Sequence, residues 1–466
     1  MFGRDVRYFL VKSFKNCLKN LYKYVTLKEN LKSEYMVVRF LSREAEGTGP
    51  VKLQQPANFW PGAKSSELVS IRQIRRSTDA YVKSLLLRRL FYFTKGGVDM
   101  ERIETILAQV GNRSEEVTGT VNPPVYFSTA YRHEGIGQST GFDYIRTGNP
   151  TRNIVEEAIA KLEGGDQGYA FSSGMAAIQT VMALFESGDE FLVSADLYGG
   201  TYRLFEKGWR KYGLSFHYVD FRDIQLVEKE ITEKTKAIFL ETPTNPLMQE
   251  ANIEEVAKLA KHYNLLLIVD NTFYTPVIQQ PLRQGADIVI HSATKYLGGH
   301  NDVLAGLVVA KGKELCERLA QFHNAIGAVL SPFDSWLLIR GLKTLALRMK
   351  QHEENARRIS EFLAEHEDVT DVLYPGRGGM LSFRLRDEKW VNRFLKSLKL
   401  ITFAESLGGV ESFITYPATQ THMDIPEEIR IANGVCNRLL RFSVGIEHVE
   451  DLMADLSQAF QKMKEV

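Results

Sequence analysis

Cysteine is scarce in this sequence, and long apolar runs are absent. The 466 residues include three cysteines, Cys17, Cys316 and Cys436, which lie far apart and lack the spacing of metal ligands. They do not form a disulfide framework and are typical of reduced thiols in a cytoplasmic protein. No run approaches the roughly 18 consecutive apolar residues that a membrane-spanning helix needs. The sequence therefore predicts a cytoplasmic protein with no metal site and no membrane partner.

The charges nearly cancel, but they are unevenly distributed. The chain has 58 Lys and Arg against 57 Asp and Glu, a formal net charge of +1. Residues 1–99 hold 19 of the basic and 8 of the acidic side chains, which leaves 39 basic and 49 acidic in the remainder. This mildly acidic remainder gives no reason to expect a nucleic-acid partner. The hydrophobic content of 44% is typical of a globular protein, and the length allows two or three domains.

Residues 1–99 differ in character from the rest of the chain. They lack a sustained helical or strand period, and a turn-rich middle at 46–62 interrupts any core. Three interpretations remain open: a transit peptide, although the segment is long and rich in Lys and Tyr; a basic nucleic-acid-binding arm; or sequence upstream of a true start at Met100. We favour the third, because a helical apolar period with an acidic first turn begins at Met100. Residues 1–99 are thus predicted to be a basic extension outside the folded body.

The segment His291–His300 contains a lysine among small and hydroxyl-bearing residues. It follows the apolar, β-branched run 286–290, so Lys295 is predicted to lie just after a buried strand. Ser292 and Thr294 flank the lysine with hydroxyls. An amine that forms a Schiff base beside phosphate donors is what pyridoxal phosphate (PLP) requires of a protein. Alone the pattern proves little, since most lysines are solvated surface charges.

A second strand signal ends in an acid. Residues 264–270 form a continuous apolar run that closes on Asp270, a pattern typical of a parallel strand buried on both faces. Ligands of doubly wound sheets bind beyond the carboxyl ends of strands, so Asp270 would point into a site. There it could keep the pyridine nitrogen of PLP protonated. The alternative is that Asp270 caps the following turn at Asn271-Thr272.

A phosphate would need its own cradle. Residues 170–177 form a small-residue turn that leads into a predicted helix over 176–185. Free backbone N–H groups at such a helix start, around Gly174 and Met175, form an anion site. Tight packing of a strand against a helix explains the small residues equally well, so both interpretations stay open.

Tyr198 and Asn245 are weaker candidates. Tyr198 stands beside two glycines in Leu197–Arg203, where its ring could lie flat on a cofactor, although a lone tyrosine is more often part of a core. Asn245 follows the strand-like run 237–240 and would lie at that strand's carboxyl end. Turn chemistry alone also explains an Asn-Pro pair.

Two segments place arginine where an anion could bind. Tyr144 and Arg146 alternate in a turn-rich arm, so both could project to one side of an extended segment, or simply form a solvated loop. Arg441 interrupts the apolar strand signal 439–445, and a buried arginine is costly without an anion. A substrate carboxylate or an internal acid would supply that anion. The small-residue loop 403–410 could line the same pocket.

Together these segments resemble the Cys/Met-metabolism family of PLP enzymes over residues 100–466. The resemblance implies an α/β protein with the type I PLP-dependent transferase (aspartate-aminotransferase-like) fold, with a large, central, mostly parallel sheet domain and a smaller C-terminal α/β domain. It predicts an N-terminal arm over 100–155 that contributes to the neighbouring active site, a PLP-binding domain over 156–345 and a C-terminal domain over 346–466. It also implies a homotetramer built as a dimer of dimers.

The resemblance also assigns roles to residues. Lys295 would carry the cofactor and move protons, Asp270 would pair with the pyridine nitrogen, and Tyr198 would stack on the ring and take part in catalysis. The other implied contacts are with the cofactor for Gly174, Met175, Ser292, Thr294 and Asn245, with the neighbouring subunit's cofactor for Tyr144 and Arg146, and with the substrate for Arg441, Ser406, Glu405 and Arg203.

The branch of the family is predicted from details of two loops. Gly200 stands where methionine γ-lyases carry a cysteine, and Glu405-Ser406 with Tyr202-Arg203 favour the cystathionine γ-synthase/O-acetylhomoserine thiolyase branch. The implied reaction is γ-replacement on an O-acetyl- or O-succinylhomoserine by cysteine or sulfide, in methionine biosynthesis by trans-sulfuration. A cystathionine γ-lyase remains an alternative, and a non-catalytic protein on the same fold is a more remote one.

Overall fold

The computed structural model describes Tyr24–Glu29, Met36–Leu41 and residues 101–465. The first two segments are strands β1 and β2, which pair antiparallel with Tyr24 opposite Leu41. The sequence showed no strand period there, so this pair was not predicted. The other residues of 1–99 are not among the described residues, and the prediction that 1–99 lies outside the folded body therefore concerns a part of the chain that the structure does not describe. By contact the chain divides into two units, one holding Tyr131–Asp143 besides residues 1–99, the other Met100–Ala130 and Tyr144–Val466.

The larger unit is built on a seven-stranded sheet whose centre is parallel. Its strands, in chain order, are β3 Gln167–Phe171, β4 Glu190–Ser194, β5 Ser215–Val219, β6 Thr235–Glu241, β7 Leu266–Asp270, β8 Ile288–Ser292 and β9 Gly306–Ala310. They are ordered β3-β9-β8-β7-β6-β4-β5 across the sheet. Strands β4 to β8 run parallel to one another, and β9 is antiparallel to both β3 and β8. The predicted α/β architecture with a mostly parallel sheet is confirmed.

A second sheet of five strands lies further along the chain. Its members are β10 Val369–Leu373, β11 Met380–Leu385, β12 Thr402–Phe403, β13 Phe413–Thr415 and β14 Leu439–Ser443, in the order β10-β11-β14-β13-β12. Only the β12–β13 pair of this sheet is parallel. The two sheets lie within the predicted ranges 156–345 and 346–466, while the domain boundaries themselves stay predictions.

Helices connect and cover the strands. Within the described residues they are α1 Ile103–Ala108, α2 Pro150–Glu163, α3 Gly174–Met182, α4 Gly199–Arg203, α5 Ile224–Lys229, α6 Ile253–His262, α7 Thr275–Ile278, α8 Lys313–Ile326, α9 Pro332–Lys343, α10 Leu345–Ala364, α11 Val391–Ser397, α12 Glu427–Ala432 and α13 Val449–Met463. A π-helix, Leu204–Trp209, continues α4 into the 3₁₀ turn Arg210–Tyr212, and further 3₁₀ turns are Pro281–Arg283 and Glu388–Trp390.

Local sequence sets where the helices begin. The side chain of Asn149 accepts hydrogen bonds at the start of α2, and Pro150 is its first residue. Ser173 caps α3 by accepting from the N–H of Ala176. This helix begins at Gly174, two residues before the predicted start, because the serine cap and not the first apolar residue determines its N-terminus.

The central strands are buried on both faces. Successive side chains of a strand point to opposite sides, so Leu267 and Val269 join one apolar cluster while Ile268 and Ile290 join the other. With both faces filled by apolar side chains, polar groups of these strands are confined to the strand ends.

Candidate functional site

Three polar residues end three neighbouring parallel strands. Glu241 ends β6, Asp270 ends β7 and Ser292 ends β8. Glu241 is the register partner of Asp270, which in turn pairs with Ile290 of β8. Because side chains alternate along a strand, Ser292 points to the same side as Ile290, so the three polar side chains share one face. They mark the carboxyl edge of the sheet as the candidate site.

Asp270 is held by a threonine two residues away. Its Oδ1 accepts hydrogen bonds from the Thr272 backbone N–H (3.0 Å) and from the Thr272 hydroxyl (2.5 Å). The same hydroxyl accepts from the backbone N–H of Ser292 at 2.9 Å. The turn-capping alternative is therefore realised, and it also aims the carboxyl group. Burial raises the pKa of Asp270, although the Thr272 bonds oppose this. A cation beside this carboxyl group, such as a protonated pyridine nitrogen, would favour its ionised form and oppose the effect of burial.

Lys295 lies in the turn that follows β8. Its backbone N–H donates to Ser292 O (3.1 Å), and its Nζ lies 3.5 Å from the Ser406 hydroxyl. Burial, reinforced by the charge of Arg441 and opposed by Glu405, lowers the pKa of Lys295 to about 8. The amine is thus neutral in a larger fraction of molecules near pH 7 than that of a solvated lysine.

This pKa predicts the pH dependence of cofactor attachment. Only the neutral amine attacks an aldehyde, so below about pH 8 the rate at which the apoprotein reacts with PLP should fall about tenfold per pH unit. Above about pH 8 the rate should level off. Stopped-flow absorbance of reconstitution across this range measures it, with the Lys295→Ala variant defining the background. A rate that keeps rising to about pH 10.5, as for a solvated lysine, would contradict the assignment.

The start of α3 forms a cradle that side chains larger than hydrogen would fill. A Cβ on Gly174 would lie 2.9 Å from the Ser292 Cβ, and one on Gly306 would lie 2.1 Å from the Ser173 carbonyl oxygen. Because Ser173 already caps the N–H of Ala176, the N–H groups of Gly174 and Met175 remain at the open helix end. Backbone donors, a hydroxyl and no bulk are the chemistry that a phosphate needs.

Arg441 is buried among neutral partners. Its guanidinium donates to Asn245 Oδ1 (2.9 Å), to the Thr415 hydroxyl (3.0 Å) and to Ser406 O (3.2 Å), while Nε has no partner. No ion pair involves it among the described residues. The internal acid that could have explained this arginine is therefore not found there, and burial lowers the pKa of Arg441 to about 10. The arrangement suits a carboxylate supplied from outside the chain.

Tyr198 is half-buried at the start of α4, directly before Gly199. Its backbone N–H donates to Glu241 Oε2 at 3.1 Å. Glu241 is the residue of β6 that lies opposite Asp270 of β7, so this bond places Tyr198 at the same edge of the sheet. Burial and the charge of Glu405 raise the pKa of Tyr198, so its hydroxyl stays protonated near neutral pH.

Several predicted residues have other partners. Arg203 is exposed and pairs with Asp424 (2.7 Å), and the Thr294 hydroxyl exchanges hydrogen bonds with the backbone of Ala305 (3.0 and 3.1 Å). Glu405 is exposed beside Ser406. Their predicted contacts with substrate or phosphate stay predictions.

The structure distinguishes the two geometries that the sequence left open for the arm residues. Residues 144–147 form a turn in which Thr147 N–H donates to Tyr144 O, as in the loop alternative and not in an extended segment. Arg146 is exposed and bonds to Asn324 O (2.5 Å), and its Cζ lies 5.7 Å from the centre of the Tyr144 ring. The two side chains therefore lie close together, and their contact with a phosphate stays a prediction.

Three residues of the site were not predicted. Glu241 ends a buried strand just as Asp270 does, so the same signal could have found it. Thr272 was considered only as part of a capped turn. His422 lies beside Tyr198 and Asn245, because its Nε2 is 3.2 Å from Leu197 O and 3.0 Å from Asn245 O. It carried no local signal, since these contacts depend on the tertiary fold.

Among the described residues, no helix combines the length and apolar character needed to cross a bilayer. No group of three or more metal-ligating side chains occurs among them.

Comparison with known proteins is consistent with this geometry. A family model described as Cys/Met metabolism PLP-dependent enzyme matches residues 104–461. The chain is 72% identical over 365 residues to the cystathionine gamma-synthase/O-acetylhomoserine (thiol)-lyase of Bacillus subtilis (strain 168), covering 78% of this chain and 98% of that relative. It is 65% identical over 363 residues to the cystathionine gamma-synthase of Haemophilus influenzae, covering 78% and 98%. The crystal structure of cystathionine gamma-lyase from Lactobacillus plantarum complexed with L-serine matches with a TM-score of 0.76 and 47% identity, covering 78% and 100%.

Proposed function

Because the chain belongs to the Cys/Met metabolism PLP-dependent enzyme family, we propose that it is a transferase that performs γ-replacement on an O-acylhomoserine. Cysteine as the incoming thiol gives cystathionine, and sulfide gives homocysteine, in methionine biosynthesis. The observation that carries this proposal is the 72% identity to the cystathionine gamma-synthase/O-acetylhomoserine (thiol)-lyase of Bacillus subtilis, along 98% of the length of that relative. The γ-lyase alternative has less support, at 47% identity. Retention of both Lys295 and Asp270 argues against a non-catalytic protein.

The cofactor of the family is PLP, and residues of this chain are suited to hold it. When bound, PLP supplies an electron sink for the carbon that loses a proton. We assign its attachment to Lys295, its pyridine nitrogen to Asp270 and its ring face to Tyr198. The remaining proposed contacts are with the phosphate for Gly174, Met175, Ser292 and Thr294, and with the ring for Asn245.

The side chains of this protein then have separate roles in the proposed reaction. Arg441 binds the α-carboxylate of the O-acylhomoserine and so turns the α-hydrogen toward Lys295. The neutral Lys295 amine takes the α-proton and would give it up to the cofactor when one is bound, which leaves it neutral again to take a proton from the β-carbon. After replacement it returns both protons, one at a time, in the reverse order. The carbon–oxygen bond to the acyloxy group breaks, the carbon–sulfur bond forms, and the thiol proton leaves with the carboxylic acid. Ser406, within reach of Lys295, is proposed to contact the substrate, as are the exposed Glu405 and Arg203.

The assembly and location are further parts of the proposal. Tyr144 and Arg146 are proposed to contact the cofactor phosphate of a neighbouring subunit, which fits their exposed position on the arm. A homotetramer made of two such dimers, located in the cytoplasm, would then be the working form. The domain ranges 100–155, 156–345 and 346–466 correspond to arm, cofactor domain and C-terminal domain.

Steady-state kinetics with pure holoenzyme tests the reaction. Rates are measured with O-acetylhomoserine and with O-succinylhomoserine, each with cysteine or sulfide, and compared with the rate of cystathionine cleavage. Faster synthesis than cleavage supports γ-replacement. Faster cleavage would favour the lyase instead, and a protein that stays colourless after PLP addition would reject both.

The role of Arg441 predicts a specific kinetic change. Arg441→Lys should raise the KM for the O-acylhomoserine about 10- to 100-fold with a small change in kcat, because lysine keeps the charge but loses the paired donors. Arg438→Lys is the matched control, since Arg438 bonds only to the carbonyls of Leu385 and Arg386 (3.3 and 3.4 Å). An unchanged KM in Arg441→Lys would remove this residue from carboxylate binding.

A further inference from the structure

The peptide group that precedes Tyr198 is held from two sides. Its carbonyl, that of Leu197, lies 3.2 Å from His422 Nε2, and its N–H donates to Glu241 Oε2 at 3.1 Å. Carbonyl and N–H of one peptide lie in one plane, so two opposed hydrogen bonds fix the rotation of that plane. We call the side chains of His422 and Glu241 with this peptide the Tyr198 clamp. It sets the direction in which the Tyr198 side chain leaves the backbone.

The protonation of His422 follows from its neighbours. Nε2 faces two carbonyl oxygens, that of Leu197 and that of Asn245 at 3.0 Å, so it must carry the hydrogen and donate to both. Nδ1 is then the acceptor for the Thr421 hydroxyl at 2.8 Å. The imidazole is 1% exposed, and burial lowers the pKa of His422 to about 4. His422 is therefore a neutral, fully engaged group and not an acid or base of the reaction.

The clamp connects three parts of the proposed site. Asn245, whose carbonyl accepts from His422, also accepts from Arg441 through its side chain at 2.9 Å. Glu241 is the register partner of Asp270 on the neighbouring strand. A displacement of the clamp would thus be felt by the tyrosine, by the arginine and by the carboxyl edge of the sheet.

The segment that carries His422 packs tightly on the tyrosine turn. A Cβ on Gly199 would lie 1.9 Å from the carbonyl oxygen of Thr421, so the two backbones are in direct contact. Asp424 accepts from Arg203 at 2.7 Å and from Lys207 at 3.0 Å, which ties the same segment to α4 and the π-helix after it.

We propose that His422 and Glu241 are positioning residues that hold the Tyr198 ring on the cofactor face. This inference rests on the proposed function, in which Tyr198 stacks on PLP. Neither residue touches the reacting atoms. Both act through the Leu197–Tyr198 peptide.

The first test measures PLP affinity without any substrate. His422→Phe keeps the buried volume of a ring and removes the donor, so the dissociation constant of PLP from the apoprotein should rise about tenfold, as expected for one lost buried hydrogen bond. Glu241→Ala should give a similar rise. Glu241→Gln keeps an acceptor oxygen for the Tyr198 N–H and should stay within about twofold. His366→Phe, at an imidazole stacked on Phe460, is the matched control and should leave affinity unchanged.

A double-mutant cycle separates positioning from general destabilisation. If His422 acts through the tyrosine, adding His422→Phe to Tyr198→Ala should weaken PLP binding by less than about twofold beyond the single tyrosine variant. Independent, multiplying effects would overturn the proposal, as would a Glu241→Gln variant as damaged as Glu241→Ala. Thermal unfolding of each apoprotein identifies variants that fail to fold, and His422→Gln then replaces His422→Phe in the cycle. Failure to make cystathionine would refute the proposed reaction while leaving these affinities interpretable.

Discussion

Replacing Lys295 with alanine is expected to lower turnover of an O-acylhomoserine with cysteine by about 10⁴-fold, the upper range for a well-placed proton carrier. The side chain combines attachment of the cofactor with transfer of two protons, and alanine removes both. No neighbouring group reproduces this combination, because Ser406, 3.5 Å away, is a hydroxyl and Arg441 keeps its proton. Single-turnover and steady-state rates of the PLP-saturated variant measure the loss.

A second lysine provides the control for this change. Burial also lowers the pKa of Lys343, whose Nζ donates to Ala108 O at 3.2 Å on another part of the chain. Lys343→Ala should retain turnover within about twofold, as for a change away from the site. Residual activity of Lys295→Ala within about a hundredfold of the parent protein would mean that another group carries the protons.

Asp270→Asn is expected to lower kcat about 10²- to 10⁴-fold, the loss that follows removal of one member of a buried charge pair. Asparagine can still accept the hydrogen bonds of Thr272, so the turn should keep its shape while the charge beside the pyridine nitrogen disappears. The measurement is kcat at saturating PLP, together with the visible absorption of the bound cofactor, which should shift as the ring nitrogen loses its proton.

Asp287 offers a matched aspartate at the opposite end of the same strands. It accepts from the N–H of Leu267 at 2.8 Å, and burial raises the pKa of Asp287 as it does that of Asp270. Asp287→Asn should therefore cost stability but leave kcat within about twofold. Equal losses in the two variants would show that Asp270 acts on the fold and not on the cofactor.

The strand ends were predictable from sequence because burial on both faces imposes a simple pattern. The apolar run before Asp270 is β7 at the middle of the large sheet, and the run before Lys295 is β8, which extends to Ser292. Between two filled faces a polar residue can occur only where a strand stops. For this reason the positions of Lys295 and Asp270 after buried strands could be predicted from the local sequence pattern alone.

The residues brought in from a distance could not be found in the same way. His422 reaches Leu197 and Asn245 across more than 170 positions of sequence, and nothing in its local pattern marks it. The turn at Tyr144 stayed one of two alternatives because alternation of side chains suits an extended segment as well as a short turn. Contacts of this kind depend on how separate elements pack, which local periodicity does not encode.

The order of strands in the large sheet has a consequence for biosynthesis. Strand β3 lies at one edge of the sheet, and the strand that neighbours it there among the described residues is β9, although β9 starts at Gly306 and β3 ends at Phe171. On a ribosome, β3 must therefore wait unpaired until that last strand has emerged, and such distant pairing is slow to form. The turn that leads from β3 to Gly174 packs against Gly306 itself. A nascent chain that stops short of β9 would therefore lack one wall of the proposed phosphate cradle.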